Sequence, residues 1–416
     1  MKKEETRNSM GFKPGGKKIV GYELGEEYVH ISYYTSGDSK VETISCVPGE
    51  EVYGIEAVLC KRCGSNQWLF GKEALRAAKN REGILVEHIF RLALEKEPLL
   101  LEGEKYDPAA LLALFLKKTL SLIPGGIGQI AALMFTGRQM NQDFIAVLNT
   151  ALMPLGLKTG RICFQSYEDS CYQYLLHEPE ELWHYGSLLV FWEGDKLHLY
   201  QMNINHRSVP TAVSVKYKSM DFTGNDTELL KILQTVCEGQ LLSSVYLIGE
   251  RAAENSFEAT LAYLCRGRRV FQGSNLFSKG AVLGMMERIR RSAAGKKYVF
   301  LGEDKLKVNI GMYLDKRDGK GYLALIDAGV NWYEAQKEAE LYLQKGNRLE
   351  LTLTPLDGRK GKTAEITLDG LPVGPARILL SLKMLSKEEL EITAKDLGFG
   401  EFRKATGRIF REKMIL

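Results

Sequence analysis

The stretch KIVGYELGEEYVHISYY, Lys18 to Tyr34, decides how the chain is read. An apolar strand runs into a glycine turn and leaves it as a strand with Val29, Ile31 and Tyr33 on one face, by the two-residue period of a β-strand. A strand–turn–strand of this shape suits a hairpin that cradles an anion, yet its tip carries Glu26 and Glu27. Two like charges about 4 Å apart cost on the order of 4 kcal/mol at an effective dielectric of about 20. That is roughly a thousandfold in affinity for a polyanion. The hairpin therefore keeps the form of a phosphate loop and lacks its chemistry.

A second hairpin, SLLVFWEGDKLHLYQM, begins at Ser187. Each hairpin is followed by mixed strands and helices, which suggests one α/β unit used twice, over about 19–165 and 187–290. In the first half helical patterns dominate from Lys72 to Leu122. The strand QIAALMFTG, a helix from Asn141 to Met153, a strand from Gly160 to Ser166 and a helix from Asp169 to Leu176 come next. In the second, a helix from Thr227 to Glu238, the strand VYLIG, a helix from Ser256 to Arg266 and the helical run SKGAVLGMMERIRRSA are expected. The PGGIG loop precedes its strand, whereas a dinucleotide fingerprint places its glycines after one, so that motif is rejected. Beyond Lys297 the pattern changes to short alternating strands such as RLELTLTPL and EITLDGL, separated by RDGKG, LDGRKG and LDGLPVGP. An antiparallel β-sandwich follows from that pattern.

The 416 residues, 45% hydrophobic and 26% charged, suit a globular protein of two or three domains. A formal charge of +4 gives no reason to expect a nucleic-acid partner. No segment approaches the roughly 20 apolar residues that span a bilayer, and the start, MKKEETRNSMGFKPGGKK, has no apolar core of a signal peptide. The expected location is the cytoplasm, with no membrane partner. Seven scattered cysteines do not make a disulfide framework, and CKRC (Cys60 to Cys63) lacks the second pair that would close a zinc site. None of the six histidines stands at metal spacing with a second ligand; HEPEELWH, His177 to His184, reads as a charged surface segment. Walker loop, GxSxG elbow and EF-hand are all missing from the sequence. Trp183, Trp192 and Trp332 read as core or interface anchors.

The order of these segments resembles the actin-like ATPase superfamily, and within it the 70-kDa heat-shock chaperones, DnaK and its relatives. VGYELGEEY stands where that family has its first phosphate hairpin, GKEAL (Gly71 to Leu75) at its GxxA helix start, and VYLIGERAAENSFEATL at its adenosine segment. MFTGRQMNQDFIAVLNTALMPLGLKTG is similar to its strand–loop–helix before the connecting strand. YVFLGEDKLKVNIGM and DGLPVGP with AKDLGFG are similar to the linker, first strand and later strands of its peptide-binding domain. The resemblance implies a duplicated, ribonuclease-H-like α/β actin-like ATPase domain followed by an antiparallel all-β sandwich. The domains would be a disordered tail over 1–17, a nucleotide-binding-type domain over 18–296 with lobes 18–165 and 166–296, and a lidless sandwich over 297–416.

The resemblance also shows what is altered. Glu23 stands in place of the aspartate that holds hydrated magnesium, and Glu26 and Glu27 in place of hydroxyl residues. The second hairpin offers Trp192 or Glu193 at its aspartate position and only Gly194 of the glycine run; Gly249 is followed by Glu250, not a second glycine. Glu168 lies near, but offset from, the connecting glutamate. Only about 50 residues separate the second hairpin from VYLIG, where the chaperones carry a subdomain over the adenine. Glu23, Gly25, Glu26, Glu193, Gly194 and Gly249 are thus the nucleotide-cleft candidates, with Gly25, Gly194 and Gly249 equally readable as tight-turn residues of positive φ. No catalytic residue and no metal ligand is assigned, and the only cofactor in view is ATP or ADP with magnesium. The expected function is a chaperone-like module with a degenerate ATPase domain that binds protein or peptide segments. Leu323, Leu325, Leu349, Leu351 and Leu353 are the peptide-binding candidates, with ordinary core as their other reading. The alternatives are a slow Mg-ATP-dependent chaperone ATPase and an actin-like assembly subunit.

Overall fold

A computed structural model describes residues 16–47, 49–138, 140–157, 159–206, 211–249, 252, 257–316, 319–344, 347–356, 360–371 and 375–416. The tail expected over 1–17 lies outside these residues up to position 15, as do Glu250 and parts of the RDGKG, LDGRKG and LPVGP turns. The chain divides into two units, Met1–Phe300 and Leu301–Leu416.

The first unit opens with the antiparallel hairpin β1 (Lys18–Leu24) and β2 (Tyr28–Thr35), extended by the short strands β3 (Glu42–Thr43) and β4 (Ile55–Glu56). A small sheet of β5 (Leu59–Arg62), β6 (Trp68–Phe70) and β7 (Gly83–Val86) packs on helix α1 (Gly71–Lys79), whose Ala74 and Ala77 face inward. Helix α2 (Ile89–Glu95), the hairpin β8 (Leu99–Leu101) and β9 (Glu104–Tyr106), and helix α3 (Pro108–Leu120), capped by Asp107, complete this segment. The expected helical stretch from Lys72 to Leu122 is therefore broken by three strands. Turn-forming pairs such as Glu102–Gly103 leave runs too short for the two to three helical turns that periodicity needs. Strand β10 (Ile130–Gly137), helix α4 (Gln142–Leu152) with Asn141 as its cap, strand β11 (Ile162–Ser166) and helix α5 (Tyr167–Leu176), capped by Ser166, finish the first half.

The second half starts with a three-strand meander, β12 (Ser187–Glu193), β13 (Lys196–Asn205) and β14 (Thr211–Asp221). Helix α6 (Asp226–Cys237), strand β15 (Ser244–Ile248), helix α7 (Glu258–Leu264), strand β16 (Arg269–Gly273), helix α8 (Leu276–Ile289) and the short helix α9 (Ala293–Lys297) follow. The main sheet of the first half has the order β11-β10-β1-β2-β3, that of the second β16-β15-β12-β13-β14. In both, three antiparallel strands are joined on their first member by two parallel strands, so one topology occurs twice. Helix α8 packs on β1, β2, β10 and α5. It comes close enough that a Cβ on Gly21 of β1 would strike the Ser278 carbonyl. Strand β17 (Tyr298–Phe300) pairs with Thr211–Val213 at the far edge of the second sheet. This corrects the expected boundary, which gave these residues to the sandwich: Tyr298 and Phe300 are buried in the first unit, against Trp183 and Tyr172.

Among the described residues the second unit holds eight antiparallel strands: β18 (Val308–Lys316), β19 (Gly319–Ile326), β20 (Gln336–Leu343), β21 (Arg348–Pro355), β22 (Lys362–Thr367), β23 (Ala376–Met384), β24 (Glu389–Gly398) and β25 (Ile409–Ile415). They form two four-stranded sheets, β19-β18-β21-β22 and β20-β23-β24-β25, with one shared apolar core. The clean alternation of RLELTLTP and ARILLSLKM is the sequence cause: every second side chain is buried.

Candidate functional site: a cleft closed by its own carboxylate

The turn between β1 and β2 and the turn between β12 and β13 face each other across a cleft. Glu23, Glu27, Tyr28, His30, Phe191, Trp192, Glu193 and Gly249 line it, and about 330 Å³ lies empty among them, open solvent included. Three of the six sequence-derived cleft residues, Glu23, Glu193 and Gly249, line it, and Glu26 joins them through its backbone in an unexpected arrangement. Glu193, at the end of β12, accepts a hydrogen bond from the backbone N–H of Glu26 at 3.3 Å and forms an ion pair with Arg138, which follows β10. One carboxylate of the second hairpin thus holds both the turn amide of the first hairpin and the nearest cation.

Glu23 is shut inside. It is 1% exposed, with one oxygen 3.2 Å from His30 Nδ1 and the other accepting from the Tyr167 hydroxyl at 3.4 Å. The alternation that turns Ile19 and Gly21 toward α8 places Glu23 on the same side of β1. Tyr167 meets it from the first residue of α5 and stacks on Phe277 with ring centroids 4.1 Å apart. Burial first, and the Glu23 charge next, raise the Tyr167 hydroxyl well above its usual range, so it stays a neutral donor. Beside this group, His198 on β13 is 1% exposed and bonded through Nδ1 to the Tyr217 hydroxyl at 2.8 Å. Burial, then the charges of Arg138 and Lys196, push it down to about 4, leaving it neutral at pH 7.

The glycines divide. Gly194 (φ +60) and Gly249 (φ +113) hold backbone that L-residues rarely adopt, while Gly25 is not among the positive-φ residues and is required for space, because a Cβ there would meet the Tyr28 carbonyl. Trp192 is half-buried, donates its indole N–H to the Gly194 carbonyl at 3.1 Å and packs edge-on to Phe222. Glu168 lies in the first turn of α5. The turn amide and Arg138 already hold a carboxylate, and Glu23, at the inner wall of the cleft, is engaged by His30 and Tyr167. Among the described residues no group of three or more His, Cys, Asp or Glu side chains could hold a metal ion. Cys60 is buried in β5, its thiol raised by that burial, and Cys63 is exposed.

In the second unit the peptide-binding candidates take the core reading that the sequence also allowed. Leu325, Leu349, Leu351 and Leu353 are at most 7% exposed within the shared core, and Leu323 packs against it. The strand period turns Leu325, Leu349, Leu351 and Leu353 inward, where no ligand reaches them without opening the two sheets, whereas Leu323 is half-buried.

Sequence reasoning missed Arg138, His30, Tyr167 and His198. Arg138 carried one available signal: it directly follows a strand in FTGR, and ends of parallel strands beside a hairpin converge on the cleft. His30 faces Glu23 in the β1–β2 register, a pairing that follows once the turn length is known.

Residues 40–303, more than half of the chain, match the model described as "Family of unknown function (DUF5716) C-terminal". The chain belongs to that family. Residues 305–416 match a second model, "Domain of unknown function (DUF8552)", so the two matches meet close to the division between the structural units. The first span starts beyond β2: Arg138, Glu193 and Gly249 lie inside it, Glu23 and Gly25 outside. A search of curated proteins found no match. Among the described residues no helix is long and apolar enough to cross a membrane.

Proposed function

We propose that this chain is a protein-binding or scaffolding module, built on a degenerate actin-like, DnaK-like frame whose nucleotide cleft is closed by its own side chains. The observation that carries the reading is Glu193, held by the Glu26 amide and by Arg138 where the resemblance would put a phosphate. A carboxylate so held is a resident anion. A triphosphate would have to displace it and then sit among Glu23, Glu27 and the displaced Glu193, each repelling it. The repeated strand order of the first unit supports the duplicated frame, and the two four-stranded sheets of the second support a sandwich of the chaperone kind. We place the protein in the cytoplasm, with protein segments and not nucleic acid as partners.

Calorimetry of the full chain with millimolar ATP or ADP and magnesium tests this, alongside a phosphate-release assay. No saturable heat and no turnover are expected. Saturable binding would remove the closed-cleft reading in favour of a weak nucleotide binder, and turnover would move the protein to the slow ATPases.

A further inference from the structure

The outward face of the β20-β23-β24-β25 sheet ends in a loop that holds an aromatic side chain in solvent. Phe402 is 91% exposed. It is not a frayed tip, since the loop closes on Asp396, a buried carboxylate that accepts from the backbone N–H of Gly398 at 3.0 Å, the backbone N–H of Thr406 at 2.8 Å and the Thr406 hydroxyl at 2.7 Å. Asp396 also pairs with Arg403 at 3.0 Å. Burial alone would raise this carboxyl; the Thr406, Gly398 and Arg403 contacts outweigh it and hold it below the usual aspartate range. The rings of Phe402, Phe399 and Tyr342 lie in succession, with centroids 6.4 and 6.2 Å apart, and Tyr342 is 64% exposed. The strand period turns Leu379 and Leu397 to the same outer face, and Ile409, opposite Lys395, is 57% exposed.

The charges around this apolar strip are of both signs, but most of its carboxylates are already paired. Arg377 and Arg411 are neutralised by Glu340 and Glu391, and Arg403 by Asp396. Among the described residues neither Lys395 nor Lys404 meets a carboxylate, and Arg408 donates to the Gly370 carbonyl. Against these cations the loop carries a single carboxylate, Glu401. We infer that this face, centred on Phe402, docks an acidic segment of another protein that carries aromatic or leucine side chains. An aromatic anchor already fixed by its loop loses little conformational freedom on binding, and uncompensated lysines at the rim select the acidic flanks of the partner. The inference deepens the binding-module reading and rests on it, but places the contact on the outer face of this sheet, away from the inward leucines.

The test uses the full chain and a fluorescein-labelled peptide, EELFEDLFEE, in fluorescence anisotropy. A lysine counterpart (KKLFKKLFKK) and an alanine counterpart (EEAAEDAAEE) serve as controls. Saturable binding of the acidic apolar peptide alone is expected, weakened about tenfold or more by Phe402→Ala. Lys395→Glu with Lys404→Glu should reverse the preference between acidic and basic peptides. Both sites are exposed, so unchanged thermal midpoints will show that the variants fold. Tyr313, 65% exposed on β18 of the other sheet, is the control: binding unaffected by Phe402→Ala but lost on Tyr313→Ala would overturn this face and leave the binding-module reading standing. No binding of any peptide would overturn both. A dimer in sedimentation velocity that Phe402→Ala abolishes would assign the face to a second copy and likewise overturn the inference.

Discussion

At the scale of single residues, the first unit is organised around charges that satisfy one another. Arg138 and Glu193 have side chains only 28% and 11% exposed, so removing one leaves the other poorly solvated. Arg138→Ala should therefore cost about 1–3 kcal/mol, and the double variant with Glu193→Gln less than the sum of the singles, read as a coupling energy in urea unfolding. Additive losses would mean that the pair does not hold the cleft shut. His198 gives a pH test with a fixed sign. Its folded value of about 4 lies below the roughly 6.5 of an unfolded histidine, so the native state takes up the proton more reluctantly. Stability from this site is complete above about pH 6.5 and is lost as pH falls from there toward about 4. His198→Gln, compared with wild type at pH 7 and 4.5, should flatten that slope; an unchanged slope would assign the acid lability to other groups. The sequence exposed the misplaced acids Glu23 and Glu193 because they break a local pattern. It hid Arg138 and His198, whose partners are set by strand order and register.

Among the elements, α8 decides how the first unit closes, because it packs on both α5 and the first sheet. Its sequence, LFSKGAVLGMMERI, uses small residues on the contact face, where Gly280 lies against the Ser170 backbone and Gly284 against the Gln165 side chain. Hydrogen bonds reinforce the contact: Ser278 to Ser32 at 2.8 Å, and Gln165 to the Gly280 carbonyl at 3.3 Å and to Ser170 at 2.7 Å. Gly280→Ala would drive its Cβ into the Ser170 carbonyl, a backbone group that cannot rotate aside. A loss of about 1–3 kcal/mol is expected despite the better helix propensity of alanine, and thermal unfolding will show it. A stabilised variant would mean that α5 and α8 separate freely. The helix was readable as a helix from the small-residue run, and the two hairpins from their alternation. Strand β14 was not read, although its Val213 and Val215 alternate inward, because lysines and serines interrupt the rest of TAVSVKYKSMD and its place follows from pairing with β13. Strands β7, β8 and β9 inside the expected helical region escaped for a related reason, since strands of three or four residues carry too little periodicity to outweigh neighbouring helix formers.

For the whole molecule, the composition changes near Lys297, close to the division after Phe300, but the four residues 297–300 fell on the other side of it. YVF alternates like the strands that follow it, and nothing local reveals that Tyr298 and Phe300 pair in parallel with Thr211–Val213. Long-range parallel pairing is the kind of information that a sequence window does not hold. Phe300 stacks on Tyr172 at 4.8 Å and Tyr298 meets Trp183 edge-on at 4.9 Å, so the strand closes the core of the second half. Fragments test the division directly. Residues 1–300 should unfold cooperatively in urea and 301–416 should fold around their own core, while 1–297 forfeits two buried aromatics, each a loss of about 3–5 kcal/mol by the standard of large-to-alanine core substitutions. The shorter fragment should therefore show a markedly lower midpoint or no cooperative transition. Equal midpoints for 1–297 and 1–300 would return Tyr298–Phe300 to the linker, and with it the boundary that the sequence alone suggests.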